Sequence, residues 1–526
     1  MDSKPVIHGG HLLAKAVEKV YAEGQTDYSI EPLVRVDGSG TPIGLIQEND
    51  AVIFCCRRGE REIELTEAFT ENDFPFFERQ RIKDLNFIIL TLYHEKFKDL
   101  PVAFAPSNIE NTLGEIVSNA GLRQLRCSET EKFAHITFFL NGGNNRVFRG
   151  EDRIRIPSPK GIAFDQVPEL SLPAVADEVI RGIQAGYDLI ITNFANGDVI
   201  GHTANTQAKI QCAEYVDKHL GRVVQEAMQN DYGVAITADH GNLELMLTEE
   251  GKPHVSHTTN PVPFILIDPN SDALVNLNNG SLQDIAPTVL RVLGIQQPES
   301  MTGKPLSGMH DWGSKRRMLL IILDGWGMGR EDQSNPIHLA STPVWDELVK
   351  KYPPTMLQAS GESVGLQEGK AGNSEAGHMN IGAGKVVLQD DVRFDQAIKD
   401  GTFSTNSIFL QAIEGVRQHN SHLHLIGLLT EKSSHGSIDY PLAVLRIARD
   451  MGLQEVYLHL IFDGRSTEPG SAPALLEKLD SALAEIGAGE VVTGIGRGIA
   501  LDRDGNYEKI QRAYEALVMG KGRWYS

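Results

Sequence analysis

Short apolar runs alternate with longer amphipathic stretches along most of the chain, and this alternation restricts the fold more than any other feature. The apolar runs are AVIF (51–54), NFIILTLY (86–93), HITFFL (135–140), DLIITNF (188–194), VAITA (234–238), PFILI (263–267), MLLIILD (318–324), LHLIGLL (423–429) and VYLHLIF (456–462). Between them lie helical patterns such as IQCAEYVDKHLGRVVQEAMQ (210–229) and PALLEKLDSALAEIG (473–487). Strands that alternate with helices specify an α/β architecture with mainly parallel sheets flanked by helices. Such sheets bind ligands at the carboxyl ends of their strands. Several polar clusters of this chain follow directly after a strand run.

A chain of 526 residues exceeds what one hydrophobic core organises, so two domains are expected. The polar, Gly-containing segment GMHDWGSKRR (308–317) reads as a junction before a strong strand. A net charge of -21 argues against a nucleic-acid or membrane-surface binder, because phosphate backbones and anionic lipids repel such a surface. It does not exclude a phosphorylated small substrate, since local cations invert the potential at one site. Cys55, Cys56, Cys127 and Cys212 have neither zinc-type spacing nor the density of a disulfide framework, which fits a reducing cytoplasm. The start MDSKPVIHGG lacks a signal pattern, and no run approaches a membrane span, so a soluble intracellular protein is expected.

Three clusters could hold a metal. In DVIGH (198–202), Asp198 and His202 stand four apart and can face one ion, although an incidental surface pair gives the same spacing. In TADHGN (237–242), Asp239 and His240 follow a strand run; a turn or helix cap is the alternative there. In SHTTNPVPF (256–264), His257 sits in a loop that enters another strand. Carboxylate and imidazole ligands without thiolate suit Mn2+, Zn2+, Mg2+ or Co2+. Asp324 ends the run before LDGWG (323–327), where a simple Asp-Gly turn is also possible. AGNSEAGHMNIGAGK (371–385) surrounds Ser374 with glycines, which let backbone N–H groups crowd an anion. A serine there is a nucleophile if a metal lowers its pKa, and otherwise part of a flexible loop.

LDGWG, GNSEAGHMNIGAG, SETEKFAHITFFLNGG (128–143), RIPSPK (155–160), NGDVIGHT (196–203), TADHGN and HTTNPVPF (257–264) reach across much of the chain. Together they resemble the 2,3-bisphosphoglycerate-independent phosphoglycerate mutases, of the alkaline phosphatase superfamily. Their order departs from that family: the block beginning at Met318 comes second here, and the sequence resembles a circular permutant. The resemblance implies a transferase-like domain in 1–107 and 389–526, a phosphatase-like domain in 108–312 and 318–388, and a link at 313–317.

The resemblance further implies two divalent ions, Mn2+ foremost, with Mg2+, Co2+ or Zn2+ as alternatives and no 2,3-bisphosphoglycerate. Asp198, His202 and His257 would hold one ion; Asp324, Ser374, Asp239 and His240 would hold the other. Ser374 would carry the phosphoryl group between 3-phosphoglycerate and 2-phosphoglycerate, with Lys132 adding positive charge. Arg58, Arg61, His435, Arg465, Ser466, Arg497 and Arg503 would form the substrate grip, since guanidinium groups bind carboxylate and phosphate bidentately. A monomer is expected. The pattern is broken on that side: Ser466 replaces a carboxylate, Gly498-Ile499 replaces an aromatic pair, Cys56-Arg57 replaces Asn-aromatic, and Ser437 replaces a histidine. A metal-dependent phosphomonoesterase and a weakly active permuted variant are therefore the competing expectations.

Overall fold

The computed structural model describes residues 8–57, 59–106, 109–271, 273–313, 316–431, 433 and 435–526. The chain forms two compact units, one from residues 1–107 and 393–526, the other from 108–392. In chain order the first unit contributes strands β1 (Leu33–Arg35), β2 (Ala51–Phe54), β3 (Asn86–Thr91) and β4 (Val102–Phe104). The second unit follows with β5 (Gln124–Glu129), β6 (Glu151–Ile156), β7 (Leu189–Phe194), β8 (Tyr232–Thr237), β9 (Val262–Ile267), β10 (Gly280–Ser281), β11 (Arg317–Leu323) and β12 (Thr355–Gln358). The chain then returns to the first unit with β13 (Leu423–Leu429), β14 (Val456–Phe462), β15 (Glu490–Gly496) and β16 (Arg523–Tyr525).

Each unit holds one 8-stranded sheet. The second runs β10-β12-β9-β8-β11-β7-β5-β6, with β8, β11, β7, β5 and β6 parallel and only β9 antiparallel to its neighbours. The first runs β16-β1-β15-β14-β13-β2-β3-β4, with β1 and β15 the antiparallel pair. β11 shows why continuous apolar runs become central parallel strands. From Met318 to Leu323 every side chain is buried, because helices cover both faces of such a sheet.

The helix Thr206–Gln229 starts where Asn205 Oδ1 accepts the Ala208 N–H at 3.1 Å. It buries Cys212, Val216, Leu220, Val223 and Ala227 along one face. The helix Ala472–Ile486 ends at Gly487, whose φ of +76° suits a residue without Cβ.

One strand expectation fails. HITFFL is helical: Thr130–Ala134 is an α-helix that continues through His135–Phe139 as a wider turn, with Leu140 N–H bonded to His135 O at 3.0 Å. The strands β5, β6 and β15 carry no continuous apolar run that the sequence would show, because charged residues and glycines interrupt them. In the junction, His310 bonds Asp268 at 2.8 Å, Trp312 is buried and Arg317 opens β11; 314 and 315 lie outside the described residues. No helix among the described residues is long and apolar enough to cross a membrane.

Candidate metal centre

The parallel strands of the second unit deliver their carboxyl ends to one edge, and the polar clusters sit there. β5 leads into the helix bearing Lys132, β7 into the helix Asn196–Gly201 bearing Asp198, β8 into Asp239 and His240, and β11 into Asp324. His202 caps the helix Asn196–Gly201. β9 runs the other way, so the loop carrying His257 enters β9 at this same edge. Gly325, at φ +73°, turns the chain against the Asp198 backbone, where a Cβ would lie 2.8 Å from the Asp198 nitrogen. Ser374 is the first residue of the helix Ser374–Ala383, which Asn373 caps by accepting from the Ala376 N–H at 2.8 Å.

Lys132 Nζ lies at the middle of this cluster. It donates to Asp198 Oδ2 at 2.6 Å, Asp324 Oδ1 at 2.7 Å and Ser374 Oγ at 2.7 Å. His240 Nε2 lies 2.9 Å from Ser374 Oγ, and Ser374 Oγ lies 3.3 Å from Asp324 Oδ1. The His240 Nδ1–H faces the Gly241 carbonyl at 3.2 Å, so Nε2 can present its lone pair to Ser374. Asp198, His240 and His257 form one group of ligand atoms within 4.8 Å of one another, and Asp239, His240 and Asp324 a second.

The chemistry of these donors calls for cations. His202 Nδ1 bonds Val255 O at 2.9 Å and His257 Nδ1 bonds Gly372 O at 2.8 Å, which leaves both Nε2 atoms turned inward. These two nitrogens stand 3.0 Å apart, and lie 3.2 Å and 3.0 Å from Asp198 Oδ1. Three acceptors cannot meet without a proton or a metal ion between them. The Asp198 carboxylate raises the proton affinity of His202 through its hydrogen bond; it does the same for His257, overcoming burial. A divalent ion would compete for that position and release protons.

In the second group, Asp239 Oδ2 is buried and, among the described residues, meets only the His378 Nδ1 at 3.3 Å and the His240 Nε2 at 3.4 Å as ion-pair neighbours, without a well-formed hydrogen bond. Asp198, Asp239 and Asp324 bring three carboxylates into a buried site where, among the described residues, Lys132 is the one ammonium they share. Burial opposes the charge on Lys132, yet Asp324 and Asp198 hold its pKa above the ordinary lysine value. Burial and Asp239 push Asp324 upward, against Lys132. Burial also favours neutral Asp239, but His240 and His378 hold it well below the carboxylate range. The deficit of positive charge is what a pair of divalent ions would fill.

Some contributors escaped sequence reasoning. His378 bonds the Ser374 carbonyl at 2.9 Å, and its Nε2 lies 3.1 Å from Asn193 Nδ2, which also donates to Asp324 Oδ2 at 2.6 Å. Asn242 donates to Asp198 Oδ1 at 2.9 Å. Asn193 left a signal, a polar residue inside an apolar strand; His378 lay within a quoted motif but was masked by Ser374.

The remaining expected site residues lie in the first unit. Arg58 falls outside the described residues. Arg61 follows β2, His435 follows β13, Arg465 and Ser466 follow β14, and Arg497 follows β15. Arg61 is buried and donates to Leu501 O at 3.0 Å. Arg497 is buried against Asp463, and Arg503 pairs with Glu60. His435 is buried, whereas Arg465 and Ser466 are exposed. Arg61, Arg497 and Arg503 thus already have protein partners, which a ligand would share or displace.

Residues 10–297 match the family model described as the metalloenzyme superfamily. The chain belongs to that superfamily. Residues 394–525 match a second model, the N-terminus of the 2,3-bisphosphoglycerate-independent phosphoglycerate mutases. A model of an N-terminus is thus matched at the carboxyl end of this chain, and Asp324 and Ser374 lie between the two matches. Among curated relatives, a 2,3-bisphosphoglycerate-independent phosphoglycerate mutase of Methanosarcina acetivorans is 47% identical over 294 residues, 55% of this chain and 56% of the relative. One from Syntrophotalea carbinolica is 47% identical over 296 residues, 56% of this chain and 57% of the relative. One from Moorella thermoacetica is 45% identical over 300 residues, 57% of this chain and 58% of the relative. The matched segment therefore spans little more than half the length of these relatives. A crystal structure of Leishmania mexicana phosphoglycerate mutase at low cobalt concentration is 28% identical, with a TM-score of 0.40 over 52% of this chain and 53% of that one.

Proposed function

We propose that this metalloenzyme interconverts 3-phosphoglycerate and 2-phosphoglycerate through a phosphoserine at Ser374. The observation that carries the reading is the Ser374 hydroxyl, held by Lys132 Nζ at 2.7 Å and His240 Nε2 at 2.9 Å beside Asp324. The names of the relatives support the substrate. Asp198, His202 and His257 would hold one ion and Asp239, His240, Asp324 and Ser374 the other, with His240 near enough to Asp198 and His257 to lie between the two, and Mn2+ the ion we expect. Bound there, two divalent ions would neutralise phosphoryl oxygens and make the serine hydroxyl acidic enough to attack.

The chain's own groups do the rest. Ser374 Oγ gives up its proton to solvent and forms a bond to phosphorus as the bond to the glycerate oxygen breaks, and that oxygen takes up a proton in its place. The reverse steps at the neighbouring glycerate hydroxyl complete the exchange. Lys132 adds a fixed positive charge, and the amino end of the helix Ser374–Ala383 favours the anion that develops at its first residue. Arg465, Arg497, Arg503, Arg58, Arg61 and His435 are proposed to hold the glycerate, with Ser466 beside them.

The order of the two matched models supports reading the chain as a circular permutant of that family. We read it as a monomeric cytoplasmic enzyme; the free, buried Cys55, Cys56, Cys127 and Cys212 fit a reducing compartment. A second outcome, hydrolysis of the phosphoserine, is favoured by the exposed hydroxyl of Ser466 where a carboxylate would manage glycerate protons, and by the pairing of Arg497 with Asp463. Mn2+-loaded protein mixed with 3-phosphoglycerate, quenched in acid and digested, should yield a peptide phosphorylated on Ser374. Phosphate on another residue, or turnover with none trapped on Ser374 at any quench time, would overturn the reading.

A further inference from the structure

Lys209 is a lysine in the wrong place for a lysine. It lies in the first turn of the helix Thr206–Gln229 with 1% of its surface exposed. An ammonium stays buried only where hydrogen bonds and neighbouring charge offset its lost hydration. Burial draws its pKa down to about 8, against the smaller pull of Cys212 and Glu244. Among the described residues Nζ makes one hydrogen bond, to the His254 carbonyl at 2.6 Å.

That carbonyl belongs to the loop that builds one half of the metal centre. The next carbonyl, Val255 O, bonds His202 Nδ1 at 2.9 Å and so turns His202 Nε2 inward. Two residues further on, His257 presents its own Nε2 to Asp198. The loop is tied on either side of this stretch, by His254 N–H to Met246 O at 2.9 Å and by Thr258 N–H to Gly241 O at 3.0 Å. The helix bearing Lys209 begins just after His202, so its amine bridges the segment that carries Asp198 and His202 to the loop that carries His257. Among the described residues, no hydrogen bond of Lys209 reaches the segments bearing Asp324 or Ser374.

We propose that Lys209 is a positioning residue for the metal subsite of Asp198, His202 and His257: its amine pins the His254–Val255 backbone and thereby sets the orientation of His202 and the approach of His257. An amine or an ammonium can donate this bond, so the role does not depend on protonation. The proposal rests on the two-ion reading given above and specifies how one of the two subsites is built. Partners of metal ligands typically govern affinity by about 10–100-fold.

The test is calorimetric titration of metal-free full-length protein with Mn2+, with metal content measured after gel filtration. The wild-type chain should bind two ions; binding of fewer would overturn the two-ion reading and the inference with it. Lys209→Met keeps the volume and apolar stem but removes the donor. It should bind one ion with unchanged affinity and the other about 10–100-fold more weakly. Lys209→Arg, which keeps a donor, should recover part of that loss. Two ions bound by Lys209→Met as tightly as by wild type would contradict the proposal while leaving the two-ion reading standing. Weakening of both ions alike, including through failure to fold, would show a general packing role and also overturn it.

Discussion

Lys132 Nζ donates to Asp198, Asp324 and Ser374 from a position with almost no access to solvent, so its removal takes away charge at the point where phosphoryl oxygens would gather. Lys132→Met should lower kcat by about 10²–10³-fold, the usual effect of deleting one preorganised donor, with metal content retained; steady-state kinetics beside metal analysis checks both. Ser466 makes a prediction of opposite sign. Ser466→Asp should raise the yield of 2-phosphoglycerate relative to free phosphate, by up to the 10²–10⁴-fold that an acid–base group contributes, in a coupled assay that reads both products. At this scale Asp198, Asp239, His240 and Asp324 stood out in the sequence because each lies just beyond a strand run, whereas Ser374 stood out by its glycine-rich surroundings and His257 by the loop that enters β9. Asn193 and His378 were not, because their role depends on which atoms they meet across the sheet: Asn193 joins His378 to Asp324 only in three dimensions.

Elements were legible where burial is continuous and misleading where it is not. LHLIGLL and VYLHLIF became β13 and β14 residue for residue, since helices cover both faces of their parallel sheet. HITFFL is similarly apolar but forms a helical turn that packs against the helix Ser374–Ala383. The close approach is specific: a Cβ at Gly382 would collide with the Leu140 carbonyl. Gly382→Ala should therefore destabilise the protein by about 1–3 kcal/mol in urea unfolding despite the higher helix propensity of alanine. The first unit contains another buried arrangement. Asp50 Oδ2 lies 3.0 Å from His424 Nε2, His424 Nδ1 lies 2.9 Å from His459 Nε2, and His459 Nδ1 lies 2.9 Å from Thr493 Oγ1. Burial lowers the pKa of His424, partly offset by Asp50, and lowers that of His459 further with the help of His424. Both rings are more basic unfolded than folded, so their contribution is present above the unfolded pKa of about 6.5 and is lost as pH falls below it. Urea midpoints should drop between about pH 7 and pH 5, at no more than about 1.4 kcal/mol per pH unit for each ring, and His459→Phe should flatten that slope.

On the scale of the whole molecule, the alternation of strand and helix gave away two mainly parallel sheets, and the long motifs gave away the superfamily. The strands β5 and β6 escaped because Gln124, Arg126, Glu129 and Glu151 are buried polar residues that no hydropathy pattern shows. The metal centre also ties function to stability. If its ions bind only the folded chain, Mn2+ at about 100 times its dissociation constant should add about 2.7 kcal/mol per site to the unfolding free energy, and chelation should remove that increment. The central claim, that phosphoryl transfer runs through Ser374 at this centre, is tested most directly by ³¹P NMR of 3-phosphoglycerate with the Mg2+-loaded, diamagnetic protein. A new 2-phosphoglycerate resonance is expected, one that chelation abolishes and that Ser374→Ala never produces. Equal formation of 2-phosphoglycerate by Ser374→Ala and wild type would contradict it.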